Sequence, residues 1–241
     1  MLVLFVMEVI AHRGFSAEYP ENSLKAFKNA QQDCDIVEFD VRVTDDGVPI
    51  VVHSNDLSLI SETDKKVSES SWDSIKSTTI FDSEETIPTL QETINALSDK
   101  RIIVDLKTSD ELDRVYDTIQ QHDCSVIVAA FNHELLKPTI GSDLKSAVYL
   151  SSDDKLRSIP EINSNKVPSS KQEALELADQ MDCSAVHVEK SMVERSLLKN
   201  FQNEGYDVRV WTVRQDRSAW RLREMNIQGI ITDSYRFCRF V

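Results

Sequence analysis

The run Ile36-Val37-Glu38-Phe39-Asp40-Val41 decides the reading of this chain. It is short, rich in β-branched and aromatic residues, and alternates strictly, as a strand does. Successive side chains of a strand point to opposite faces, so Glu38 and Asp40 share one face while Val37, Phe39 and Val41 share the other. Working outward, similar runs occur at Val9–Ala11, Ile102–Leu106, Ser125–Ala129, Ala147–Leu150, Ala185–Val188, Val208–Val213 and Gly229–Thr232. The first of these reads as a buried strand spanning Val3 to Ala11. Together they make eight.

Between the strands lie amphipathic stretches with helical spacing: Ser23 to Gln32, Thr89 to Ser98, Asp110 to Gln121, Gln172 to Met181 and Glu194 to Glu204. Strand and helix in alternation imply βαβ units and a parallel sheet. Eight strands close a barrel, and a barrel of this kind takes about 250 residues as one domain. The 241 residues therefore predict an α/β fold, a TIM-type (β/α)8 barrel, as one domain over 1–241. An open doubly wound sheet is the competitor. It lacks its signal, because no GxGxxG follows any strand and the chain has only five glycines. One stretch, Val43 to Pro88, breaks the alternation with an Asp45-Asp46-Gly47 turn, a strand-like Val48–Val52 and a long Ser- and Asp-rich segment. It is expected to be a rim insertion after the second barrel strand, at the C-terminal face where barrel active sites form.

Composition narrows the function classes. An apolar fraction of 41% supports a sizeable core. The net charge of −14 repels phosphate backbones and anionic headgroups, which argues against a nucleic-acid partner and for weak membrane contact at most. A small phosphate-bearing substrate then needs a local positive centre, which a metal ion supplies compactly. The four cysteines, Cys34, Cys124, Cys183 and Cys238, are scattered without a CxxC, so a reduced, cytoplasmic protein is expected. No stretch is long and uncharged enough for a transmembrane segment, and the apolar Met1–Met7 lacks the basic start and cleavage site of a leader.

The chemistry-bearing residues gather at predicted strand ends. Two carboxylates on the interior face of a buried strand, Glu38 and Asp40, repel unless a cation lies between them, and hard divalent ions prefer such oxygens. The alternative is an edge strand with a solvated charged face. Asp105 and Lys107 repeat the alternation two strands' worth of sequence later, either completing a metal and phosphate site or forming an internal ion pair. His12 and Arg13 end the first strand, where a guanidinium fork suits phosphate oxygens and an imidazole can shuttle a proton. His53 ends the Ile50–His53 run, and a second imidazole allows one base and one acid. Either histidine alone is as readily structural. Trp211 can reach the rim as a pocket wall, Trp220 reads as packing, and Asp233 can close a hydrogen-bond network at the last strand's end.

In order, these residues resemble the glycerophosphodiester phosphodiesterase family. The matching motifs are His12-Arg13-Gly14, Pro20-Glu21-Asn22-Ser23 with Ala26-Phe27, Glu38-Phe39-Asp40-Val41, Thr44-Asp45-Asp46-Gly47, Val51-Val52-His53 and Ile87-Pro88-Thr89-Leu90. They continue as Asp105-Leu106-Lys107, Trp211-Thr212-Val213 and Gly229-Ile230-Ile231-Thr232-Asp233. The resemblance runs nearly end to end and is densest in the first ninety residues. It implies a metal-dependent phosphodiesterase that hydrolyses glycerophosphodiesters to glycerol 3-phosphate and an alcohol, with one divalent ion, Mg²⁺ or Ca²⁺. Carried over by position, Glu38, Asp40 and Asp105 are the metal ligands, and His12 and His53 the catalytic acid–base pair. Arg13, Lys107, Glu21, Asn22 and Trp211 are the substrate- and phosphate-binding or supporting residues.

The chain departs from the family pattern at several places. Ser54 stands where Asp usually follows the second His, and the family's Arg is lost in Leu57–Ile60. Asp105 replaces a Glu, Ala130 a Ser, and Arg214 the Asn after Trp-Thr-Val. These departures point to shifted substrate choice or rate. Two competitors remain: a lysophospholipase D-like activity entered over Leu57, Leu59, Ile60, Trp72, Ile80 and Phe81, and a non-catalytic phosphodiester-binding barrel.

Overall fold

Each predicted strand forms, and the register between strands explains why the barrel closes. The computed structural model describes residues 6–97, 99–151 and 170–240. Its strands are β1 Glu8–His12, β2 Ile36–Val43, β3 Pro49–Val51, β4 Arg101–Leu106, β5 Val126–Ala130, β6 Lys145–Leu150, β7 Ala185–Glu189, β8 Asp207–Trp211 and β9 Gly229–Thr232. The helices are α1 Leu24–Asp33, α2 Trp72–Ile75, α3 Leu90–Ala96, α4 Leu112–Gln120, α5 Lys171–Gln180, α6 Arg195–Asn203 and α7 Asp216–Arg223. Among the described residues, eight strands pair in parallel in the order β1-β2-β4-β5-β6-β7-β8-β9, and β9 returns to β1 through Val9↔Ile230 and Ile10↔Ile231. The sheet therefore has no open edge inside the barrel.

Alternation along each strand sorts the core into two layers. Outward-facing residues such as Val37, Phe39, Val104, Val128 and Val186 pack against the helices in one cluster. Phe27 of α1 meets Phe39 of β2 with ring centroids 5.5 Å apart. Inward-facing residues, among them Ile10, Ile36, Ile103, Ile127, Ala147, Ala185 and Ile231, fill the barrel itself. Burying an aliphatic side chain of this size contributes about 2 kcal/mol. The inner layer is a plug that closes the barrel below its mouth.

Local signals set the helix starts. Ser23 caps α1 by accepting from the Ala26 N–H at 3.1 Å, and Thr89 and Glu92 form a reciprocal capping box at α3. The insertion lies between β2 and α3. Its β3 runs antiparallel to β2 (Val41↔Val51) across a turn in which Gly47 takes φ +79°. The rest of it folds over a small core of its own, formed by Ile50, Val52, Leu57, Ile60, Val67, Ile75, Ile80 and Ile87.

Three expectations need correction. The first strand begins at Glu8, not Val3: Val6 is exposed and outside the strand, and residues 1–5 lie outside the described residues. The proposed apolar entrance does not exist as such, because Leu57, Ile60 and Ile80 are buried in the insertion's own core and Trp72 packs on it, leaving Leu59 and Phe81 exposed. Trp220 is 54% exposed rather than packed, since α7 buries Ala219 and Leu222 instead. Ser98, at the predicted end of α3, lies outside the described residues. No described helix is long and apolar enough to cross a membrane.

Candidate active site

Strand register brings the acidic residues together at the C-terminal mouth. β1 pairs with β2 so that His12 lies beside Glu38, and β2 pairs with β4 so that Asp40 lies beside Asp105. Glu38 and Asp40, two apart on β2, face inward together. The three carboxylates each offer an oxygen within 4.8 Å of the others, and all are buried. The edge-strand alternative is thereby excluded, because β2 has a barrel neighbour on each side.

Three carboxylates this close carry more negative charge than their surroundings relieve. Burial pushes the Glu38 carboxyl up to about 7, with the charges of Asp40 and Asp105 adding to the shift. Burial likewise raises Asp105, again helped by Asp40. Burial would raise Asp40 too, but the Arg13 guanidinium and Lys107 ammonium beside it hold it well below the usual carboxylate range. Asn22 braces the same carboxylate: its Nδ2 donates to Asp40 Oδ2 at 2.9 Å, and its Oδ1 accepts from the Asp40 N–H at 3.2 Å.

The residues present fit a divalent cation. Asp40 Oδ1 and Asp105 Oδ1 are buried and accept no hydrogen bond, although the Lys107 ammonium lies 3.2 Å from the first. Buried carboxylate oxygens left in this condition are the hard donors that Mg²⁺ and Ca²⁺ take.

Arg13 is fixed by the turn that follows β1. It takes φ +52°, and Gly14 takes φ +79° so close to α1 that an added Cβ would lie 2.7 Å from Ala26 Cβ. Its N–H donates to Glu38 Oε2 at 2.9 Å, and Nη1 donates to both Glu21 oxygens at 3.0 Å. Its Nε pairs with Asp40 Oδ2 at 3.0 Å. Burial opposes its charge, yet Asp40, Glu21 and Glu38 more than compensate and raise its pKa. Lys107, just past β4, pairs with Asp105 Oδ2 at 2.7 Å and lies 5.1 Å from the Phe131 ring centroid. Glu21 and Asn22 thus hold Arg13 and Asp40, while Arg13 and Lys107 bring positive charge to the carboxylates.

The two histidines flank this cluster from different elements. His12 ends β1, and its Nδ1 lies 2.5 Å from Asp233 Oδ1. That contact keeps a proton on Nδ1 and leaves Nε2 for the cavity. His53 follows β3. Its carbonyl accepts from Arg42 Nε at 2.7 Å, while Arg42 Nη1 donates to the Lys107 carbonyl at 3.0 Å. One guanidinium therefore ties the insertion to the end of β4. Burial is the main reason the His53 pKa falls to about 3, and Lys107, Arg13 and Arg42 add to it against the opposing Asp40. His53 is neutral at pH 7. Ser54 Oγ lies 3.5 Å from its Nδ1.

A cavity of about 720 Å³ opens above these groups. His12, Arg13, His53, Asp105, Lys107 and Trp211 line it, with Leu59, Lys66 and Glu69 of the insertion on one side and Asn132 and Arg214 on the other. Trp211 donates from Nε1 to the His187 carbonyl at 3.0 Å and meets Phe131 and Tyr149 edge-on. Sequence reasoning missed Arg42, Phe131 and Tyr149. Arg42 was findable, because alternation that joins Glu38 to Asp40 also adds position 42. Phe131 and Tyr149 sit in apolar runs with no flanking motif, and only barrel closure faces them toward the site, where the Tyr149 phenol meets the charge of Asp105. His187 is wholly buried, His133 partly so, and His122 is on the surface bonded to Gln91.

The family model described as the glycerophosphoryl diester phosphodiesterase family matches residues 12–236. A glycerophosphodiester phosphodiesterase from Caldanaerobacter subterraneus is 26% identical over 241 residues, covering 93% of each chain. A glycerophosphodiester phosphodiesterase structure from Thermotoga maritima superposes with a TM-score of 0.81 at 25% identity, covering 98% of this chain and 99% of that one. The structure of an Oleispira antarctica phosphodiesterase in complex with the product sn-glycerol-3-phosphate has the same fold, with a TM-score of 0.84 at 23% identity over 98% and 96% of the chains.

Proposed function

The chain belongs to the glycerophosphoryl diester phosphodiesterase family and is a phosphoric diester hydrolase, and from that premise we propose that it cleaves glycerophosphodiesters to glycerol 3-phosphate and an alcohol with one divalent ion, Mg²⁺ or Ca²⁺. The observation that carries this reading is the buried Glu38–Asp40–Asp105 cluster at the mouth of the barrel, with an imidazole on either side. The product held by the Oleispira antarctica protein supports the choice of product.

When bound, the ion offsets phosphoryl charge as it builds in the transition state. Glu38, Asp40 and Asp105 would hold it, and Asn22 keeps Asp40 aimed. Lys107 and Arg13 add positive charge beside the phosphate, each held by carboxylates on its other side. His53, neutral because it is buried, takes the proton from the attacking water. His12, with Nδ1 held by Asp233, uses Nε2 to deliver a proton to the leaving alcohol. Trp211 and Phe131 wall the cavity beside these groups.

Release of glycerol 3-phosphate from glycerophosphocholine and glycerophosphoethanolamine, with Mg²⁺, Ca²⁺ or EDTA, tests the reading. Wild type should turn over only with a divalent ion, and His12→Ala or His53→Ala should each lower kcat by about 10²- to 10⁴-fold. Turnover unchanged in EDTA, or insensitive to both substitutions, would refute it.

A further inference from the structure

Arg214 follows β8 in the mouth of the barrel, at the position where the motif comparison leads one to expect Asn. Its Nε donates to Asp233 Oδ2. The other oxygen of that carboxylate, Oδ1, accepts from His12 Nδ1 at 2.5 Å and from Ser16 Oγ at 3.1 Å. We propose that Arg214 is a positioning residue for the reaction: it locks the Asp233 carboxylate so that His12 presents Nε2 to the substrate in one orientation. The inference rests on the function proposed above, since it gives His12 a proton to move.

An exposed ion pair ordinarily contributes little, because ordering a long side chain offsets the attraction. Arg214 is 65% exposed, so the pair matters here only if the geometry is already fixed. The backbone on both sides is fixed. The Arg214 carbonyl accepts from Arg236 Nη2 at 2.5 Å, and Arg236 Nε pairs with Asp216 at 3.5 Å. Val213 donates its N–H to the Ile231 carbonyl at 2.9 Å, while its own carbonyl accepts from Thr232 Oγ1 at 2.7 Å. The loops after β8 and β9 are thereby joined, and Arg214 and Asp233 stand on either side of the joint. Without the guanidinium, Oδ2 faces open water. The carboxylate can then turn part-way about its last torsion, carrying its lone pairs out of line with His12 Nδ1. The terminal torsion of Asp is broad and roughly two-fold, so nothing intrinsic prevents this. Arg214 also lines the cavity, which sets up the competing role of a direct substrate contact.

The test is a double-mutant cycle on the full-length protein with glycerophosphocholine and saturating divalent metal, comparing wild type, Arg214→Ala, Arg214→Lys, Asp233→Asn and the Asp233→Asn/Arg214→Ala pair. Arg214→Ala should lower kcat about tenfold with KM changed less than about twofold, the scale of a displaced catalytic group. Arg214→Lys should recover most of the loss, and Arg214→Ala should do almost nothing further once Asp233 is Asn. A KM effect that persists in the Asp233→Asn background would make Arg214 a substrate contact and overturn the proposal. An unchanged kcat would overturn it too. A readout independent of turnover is the ¹⁵N signal of His12 Nδ1, expected to carry its proton throughout in wild type and only part of the time in Arg214→Ala. An unchanged tautomer refutes the inference. If wild type hydrolyses nothing, the proposed function fails, and the nitrogen signal still decides the role of Arg214.

Discussion

The barrel carries buried charge at both ends of its interior, and the two ends are built on opposite plans. At the N-terminal floor, Glu8 pairs with Arg101 at 2.8 Å and with Arg209 at 3.3 Å, and Arg209 also reaches Asp207 at 3.4 Å. Two acids meet two guanidiniums, with Glu8 and Arg209 buried and the Asp207 and Arg101 side chains partly exposed at the edge. At the mouth, the described residues set Glu21, Glu38, Asp40 and Asp105 around Arg13 and Lys107, while Arg42 is turned to the His53 and Lys107 carbonyls. Within that cluster carboxylates outnumber cations, the arrangement that suits a divalent ion. A balanced layer holds itself together, whereas an unbalanced one favours protons or a cation, and burial first and the acidic neighbours second push the Glu38 carboxyl up to about 7. The floor has its own imperfection. Arg209 Nε and Nη1 and both ring nitrogens of His187 are buried without hydrogen-bond partners. That is a defect of hydrogen bonding and not of charge.

The comparison breaks most visibly in activity. Asp105→Asn keeps the shape of the site and removes one unit of its excess charge. Metal-dependent release of glycerol 3-phosphate should fall by about a thousandfold or more, roughly 4 kcal/mol of transition-state stabilisation. Thermal unfolding in EDTA should show the variant folded. Full activity in Asp105→Asn would mean the mouth's negative excess is not there to hold an ion.

At the floor the expected effect is on stability instead. Arg209→Met leaves Glu8 with one partner and should cost about 3 kcal/mol by urea denaturation, while kcat per folded molecule stays at the wild-type value. A loss of kcat with intact stability would place the floor in the reaction and erase the contrast.

The smallest effect sharpens the mouth's electrostatics. Glu38 has a folded pKa raised from 4.5 to about 7, so its contribution is fully present below about pH 4.5 and is lost as the pH rises through about 7. Glu38→Gln lacks that slope. In EDTA, the difference in Tm between Glu38→Gln and wild type should move in the variant's favour between pH 4.5 and pH 8, by a few degrees, and Mg²⁺ or Ca²⁺ should restore the wild type. A difference that is flat with pH would mean that Glu38 is not strained by its neighbours.

Much of this was legible along the chain because it depends on local pattern. The period of two in Ile36–Val41 placed Glu38 and Asp40 on one face, and the same rule at Val104–Lys107 proposed Asp105 and Lys107. Helix starts at Ser23 and Thr89 were legible because capping is a contact within four residues. The start of β1 was misjudged because Val3 to Met7 is as apolar as a strand, and apolarity does not reveal where pairing begins. Trp220 was misread because a large apolar ring suggests burial, whereas α7 turns Ala219 and Leu222 to the core instead.

The sequence by itself determined the strand count, the alternation that selects a barrel, and the residue types a phosphodiester site needs, because each follows from neighbours along the chain. The tertiary structure alone decided which of those residues meet. Asp40 lies beside Asp105 only through the β2–β4 register, and Arg42 clamps the His53 backbone only because the insertion folds back over the barrel. His12, Asp233 and Arg214 become one unit only when β9 closes on β1. Contacts between groups 19 to 221 residues apart arise from ring closure, which fixes all the strand registers together and has no local trace in the chain.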